Sequence, residues 1–323
     1  MMRVFQANAN FSNIRSHERT PPNEGNDGTG HTQLNKGNRS LAWIPALFLP
    51  AVAICFGRSL PPWEYMWTSA FAIFFGVKWL TWWRARAAVD PQTARSLAYF
   101  FLWPGMDARS FLSQAKPARP RVTELLWATA KIFLGASLLW MVARRIPASY
   151  PLCRGWIGLL GLILLLHFGS FEVVALIWQK LGVNAVPIMQ APILSKSLSE
   201  FWGKRWNLGF RQLSYEFVFQ PLRALVGVPF AMMFVFLFSG LVHELVISLP
   251  ARAGYGLPTA YFLLQGAGIA FERSSIGRTL GLRGGFSGWA FAVVMTACPA
   301  FWLFHPPFVI RVVLPFMEAI RAI

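Results

Sequence analysis

Hydrophobic runs of roughly twenty residues, separated by short polar or cationic stretches, dominate the chain from residue 41 onward. Twenty consecutive apolar residues are what a helix needs to cross a bilayer core. The pattern predicts seven spans, at 41–57, 65–83, 124–142, 156–178, 225–249, 256–271 and 287–304. The first is interrupted by Pro45 and Pro50, and the sixth is short. From Pro306 the tail is apolar but broken by Arg311, Pro315 and Glu318, a pattern for an interfacial segment or a partial eighth helix. The first forty residues are polar and rich in Asn and Gly, and read as a disordered tail with no cleavable leader. Residues 41–323 read as a single transmembrane domain. The fold class is therefore all-α: a polytopic transmembrane helical bundle.

Composition sharpens this picture. Of 323 residues, 55% are hydrophobic and 13% charged, which excludes an ordinary soluble enzyme. The 29 Phe, 15 Trp and 6 Tyr suit a protein with two membrane–water interfaces. Lys and Arg number 30 against 13 Asp and Glu. Because the cations lie in loops between apolar runs, anionic lipid explains them better than nucleic acid. Outside the spans, 21 Lys and Arg fall on one side and seven on the other, which predicts a cytoplasmic N-terminus and cytoplasmic long loops, in a bacterial inner membrane or the endoplasmic reticulum. Arg144, Arg145 and Arg154 are the main exception. Cys55, Cys153 and Cys298 have no metal or disulfide spacing.

Ionisable groups inside a bilayer are costly and therefore candidate sites. Glu172 and Glu272 are each expected to pair with a cation. His243 stands in FLFSGLVHELVISLP; counted from Pro229 as a helix start, it lies about 21 Å along the helix, past the middle of the slab. Its ring overhangs Ser239 and Gly240, small residues that leave space for substrate or admit another helix. Glu244 is turned about 100° away, so its expected partner is a cation on another helix. The run His243-Glu244-Leu245-Val246-Ile247 lacks the second histidine of a zinc-binding H-E-x-x-H motif. The Gly285–Trp289 run is no G-x-S-x-G elbow, and the glycines from 281 to 288 suit a flexible loop.

Ser197 and Glu200 are spaced as a capping box at the start of SLSEFWGKRWN. On α-helical spacing Leu198, Phe201, Trp202 and Trp206 share one face, opposite Glu200, Lys204 and Asn207, with Glu200 and Lys204 as an i,i+4 pair. This predicts an interfacial amphipathic helix anchored by tryptophan.

SLSEFWGKRWN, then Pro221 and Arg223, FSGLVHEL, YFLLQGAGIAFE and WLFHPPFVIR recur in order over about 190–315. In this the chain resembles the wax synthase domain of the membrane-bound O-acyltransferase superfamily. The resemblance implies a helical bundle whose buried histidine is reached by acyl-CoA from the cytoplasm and by a lipophilic alcohol from the bilayer. His243 and Asn207 match the family's histidine and asparagine and are the implied catalytic pair. Trp202, Arg205, Trp206, Ser239, Gly240 and Glu244 are the expected substrate contacts. Acyl-CoA enters as cosubstrate, with no resident cofactor, metal or nucleic acid. Competing classes are a lipid or proton transporter, against which stands the lack of repeated halves, and a non-catalytic membrane scaffold.

Overall fold

The computed structural model describes residues 41–323 except Asp90 and Ala118. The polar tail before residue 41, expected to be disordered and cytoplasmic, lies outside the described residues. Among those described, every regular element is helical. The long helices are α1 (Ile44–Phe56), α2 (Pro62–Val89), α3 (Val122–Arg145), α4 (Pro151–Lys180), α5 (Leu208–Ala251), α6 (Leu257–Arg273) and α7 (Gly285–Leu303). Each predicted span falls on one of them. By length and apolarity α3, α4, α5 and α7 can each cross a bilayer. The 13 residues of α1 and the 17 of α6 are short for this, and the 28 of α2 offer no sufficiently apolar window.

Small residues set how closely these helices approach. A Cβ on Gly135 of α3 would come within 2.6 Å of the Leu165 backbone nitrogen of α4. Backbone contact of this kind is how membrane helices gain packing without a hydrophobic driving force between them. Lys131 of α3 and Glu172 of α4 add an ion pair to the same interface. That is the cation expected for Glu172.

α5 is two helices joined at a corner. Gly227 sits at φ +77°, a conformation that costs glycine little. The helix restarts immediately after it, with Pro229 near its beginning, where a missing N–H does no harm. Pro229 therefore does start the segment that carries His243.

Among the described residues six π-helical turns interrupt the helices, at Leu138–Val142, Leu164–Ser170, Phe201–Arg205, Tyr215–Phe219, Glu244–Ser248 and Val309–Val313. Such wide turns add a residue to a helix and recur at functional sites. Two of them flank the predicted chemistry. One core cluster joins Leu198, Phe236 and Phe262 with Phe308, Val312 and Met317, so the tail after α7 packs inside the bundle.

Candidate active site

The SLSEFWGKRWN segment begins as the sequence predicts. Ser197 Oγ accepts from the Glu200 N–H at 3.1 Å, and Glu200 Oε2 accepts from the Lys196 N–H at 2.8 Å, a capping box shifted by one residue. It then departs from the α-helical expectation. Only Leu198–Glu200 is α-helical, and Phe201–Arg205 forms a π turn. In a π turn residues five apart lie over one another, so Glu200 pairs with Arg205 at 2.7 Å and not with Lys204. Burial pushes the Glu200 carboxyl up, but the Lys196 N–H and Arg205 outweigh it and hold it below its ordinary value. Arg205 also donates to the Gln190 carbonyl at 3.2 Å. This places Arg205 in the scaffold of the segment.

Asn207 does not end this helix. It sits at φ 40° and starts the next one, its Oδ1 accepting from the Phe210 N–H at 3.2 Å. Asparagine tolerates the left-handed region and is among the best N-caps, so one residue type meets both needs. The backbone around it is pinned from outside. Gln190 N–H donates to the Arg205 carbonyl at 2.8 Å, and Leu208 N–H to the Ile188 carbonyl at 2.9 Å. With Oδ1 engaged, the Nδ2 amide makes no hydrogen bond among the described residues.

His243 is fixed differently. Its Nδ1 donates to the Ser239 carbonyl one turn back, at 2.7 Å. A carbonyl can only accept, so the neutral ring carries its proton on Nδ1 and keeps the Nε2 lone pair free. The ring lies 4.5 Å from the Phe262 ring of α6. Ser239 Oγ is spent on the Val235 carbonyl at 2.9 Å. A Cβ on Gly240 would come 2.7 Å from Thr259 Cα, so the Gly240 gap admits α6. Of the two uses open to the small pair, helix approach is the one Gly240 serves.

Glu244 pairs with no cation among the described residues. Its Oε1 accepts from the Gly256 N–H, the Thr259 N–H and the Thr259 hydroxyl at 3.0, 3.1 and 2.9 Å, capping the start of α6. Four N–H groups at a helix start lack internal partners, and a carboxylate there also meets the positive end of the helix dipole. Glu272 likewise accepts from a backbone N–H, that of Ser199, at 3.1 Å, in place of the expected ion pair.

Aromatic contacts connect the two predicted catalytic residues. Trp202 stands 5.7 Å from Phe262, the ring that contacts His243, and 6.3 Å from Trp206, next to Asn207. Independently, Phe210 of the Asn207-capped turn stacks on Phe238 at 5.9 Å, next to Ser239. Trp202 Nε1 donates to Gln265 at 3.3 Å, and Gln265 donates on to the Met295 carbonyl at 2.7 Å. Phe262 and Gln265 were not among the residues singled out from sequence, although both lie in the recurring YFLLQGAGIAFE run.

His305, in the WLFHPPF run, was also passed over. It is fully buried. Its Nδ1 accepts from the Phe308 N–H at 3.2 Å, so Nε2 holds the proton and donates to Ser248 Oγ at 3.3 Å. Ser248 closes the π turn that begins with Glu244.

The described residues contain no group of three or more His, Cys, Asp or Glu able to hold a metal. Comparison with known proteins places the site-bearing segment in a class. Residues 185–264 match the membrane bound O-acyl transferase family. Over 142 residues the chain is 32% identical to a probable long-chain-alcohol O-fatty-acyltransferase 7 of Arabidopsis thaliana, covering 39% of this chain and 41% of the relative. It is 32% identical over 141 residues to a long-chain-alcohol O-fatty-acyltransferase of Simmondsia chinensis, 40% of each chain. The chain thus spans about two-fifths of the length of the curated relatives it matches. The resemblance read from the motifs is borne out over this segment, which contains Asn207 and His243. Together with its apolar helices, this similarity marks an integral membrane protein.

Proposed function

We propose that the protein transfers a fatty acyl group from acyl-CoA to the hydroxyl of a lipophilic alcohol, with His243 as general base. The observation that carries this reading is the His243 tautomer. Nδ1 is committed to the Ser239 carbonyl, which leaves Nε2 able to accept a proton. The alcohol gives its proton to Nε2 as its oxygen attacks the thioester carbonyl carbon. The tetrahedral intermediate then expels the CoA thiolate, breaking the carbon–sulfur bond, and the imidazolium returns the proton to sulfur. A positioned base of this sort contributes roughly 10²–10⁴-fold. Asn207 Nδ2, without a hydrogen-bond partner among the described residues, serves as donor to the thioester oxygen while Oδ1 holds the helix cap. Trp202 and Trp206 form the aromatic wall between the two residues, and the apolar surroundings keep out water that would hydrolyse the donor.

The cationic excess of the long loops supports a cytoplasmic N-terminus and donor entry from that side. A reporter fused within 84–123 tests this, and activity on the far side of the membrane reverses it. The reading as a whole is tested by lipid extraction and mass spectrometry of cells expressing the wild type or His243→Ala and fed a panel of alcohols. New esters are expected with the wild type only. Equal ester in both, at equal protein level, rejects His243 as base.

A further inference from the structure

We propose that Arg144, Arg145, Arg154 and Arg321 form a binding site for the headgroup of an anionic phospholipid. The height in the membrane comes first. α3 ends at Arg145 and α4 begins at Pro151, and both helices are long and apolar enough to cross a bilayer. The arginines therefore stand where two spans leave the hydrocarbon, at the level of lipid phosphates.

The fold then draws them together. The Arg144 guanidinium donates to the backbone carbonyl of Arg321. Arg154 Nε donates to the Ala143 carbonyl at 3.3 Å, next to Arg144. Trp140 Nε1 reaches the Ile320 carbonyl at 3.4 Å, fastening the tail segment to α3. The α3–α4 turn and the C-terminal segment, distant in sequence, thus bring the backbones of four arginines together. Each carbonyl bond uses a single nitrogen of a group with five N–H donors.

The cluster has no internal counter-charge. Among the described residues none of the four makes an ion pair, and neither does Glu318, one turn before Arg321, nor Glu64, beside the Trp63 that packs on Phe316. Arg144, Arg145 and Arg321 are exposed. A guanidinium presents paired donors that match phosphate oxygens, and this is how Arg binds phosphate in preference to a point charge. The site also accounts for the exception in charge placement, since four of the seven cations on the otherwise cation-poor side gather here.

Arg145 and Arg321 make no side-chain hydrogen bond among the described residues, so Arg145→Gln with Arg321→Gln removes charge and leaves the packing contacts in place. The test is native mass spectrometry of the full protein in detergent, titrated with phosphatidylglycerol or phosphatidylcholine. The wild type is expected to retain phosphatidylglycerol in preference. The preference is expected to fall about fivefold for each arginine removed, following about 1 kcal/mol per cation at a lipid surface. Exposed Arg278→Gln is the control and keeps the preference. Equal binding of the two lipids by the wild type, or an undiminished preference in the double variant, overturns the site. Soluble glycerol phosphate that competes as well as the lipid also overturns it, because the occupant is then a free phosphate. None of these readings depends on acyl transfer.

Discussion

His243 and His305 are both histidines set in apolar surroundings on recurring motifs, yet their hydrogen bonds make them opposites. His243 donates its Nδ1–H to a carbonyl and keeps Nε2 open. His305 receives an N–H at Nδ1 and spends Nε2 on Ser248, so no lone pair is left over. An apolar setting and motif membership therefore do not identify a base. The partner of the first ring nitrogen does, because it fixes what the second can do. The same contrast separates the carboxylates: Glu244 and Glu272 accept from backbone N–H groups at helix starts, and Glu172 holds a lysine.

The largest effect that tests this contrast is on turnover. His243→Ala is expected to lower ester synthesis by about 10²–10⁴-fold with normal protein levels, measured in membranes with saturating donor. Asn207→Asp keeps the cap oxygen and the left-handed backbone but removes the Nδ2 donor. It is expected to cost about 2.7–4 kcal/mol of activation energy, with little change in expression; expression lost in step with activity would make Asn207 purely structural. Gly240→Val pushes a side chain into Thr259 and is expected to destabilise by about 1–3 kcal/mol, read as a fall in thermal midpoint.

His305 sharpens the comparison further. His305→Asn retains an acceptor for the Phe308 N–H and loses the donor to Ser248, whereas His305→Gln does the reverse. Either is expected to cost about 1–3 kcal/mol of stability for a buried group left unpaired, with turnover per folded molecule preserved. A turnover loss matching that of His243→Ala would erase the distinction between the two rings. The smallest effect is at Glu200. Its folded carboxyl is held below the ordinary carboxylate value, so its stabilisation is complete above that value and is lost as pH falls through the folded one. Glu200→Gln is expected to flatten this acid limb of the stability profile by up to about 1 kcal/mol, as for other partly exposed pairs.

Much of the helix layout was legible because apolar run length reports directly on burial in a bilayer. The Pro229 start followed from backbone chemistry, and a cation beside Glu172 from the cost of an unpaired charge, though which cation, Lys131, did not. What sequence periodicity misread was winding. A count based on 3.6 residues per turn paired Glu200 with Lys204 and put Asn207 on the tail of an amphipathic helix. The π turn moves the pairing to Arg205, and the chain then turns so that Asn207 heads the next helix. The roles of Phe262, Gln265 and His305 depend on contacts between helices, which no local pattern encodes.

The wide turn at Glu244–Ser248 also bears on how such chains are to be aligned. A wide turn of this kind is a single-residue insertion absorbed without rotating the flanking helix. A relative one residue shorter between 244 and 248 would wind there as ordinary α-helix and still present its imidazole and its following proline on the same faces. A gap inside this membrane helix, immediately beside the histidine, is thus a change of local pitch that the fold accommodates, and the register of the motif on either side survives it.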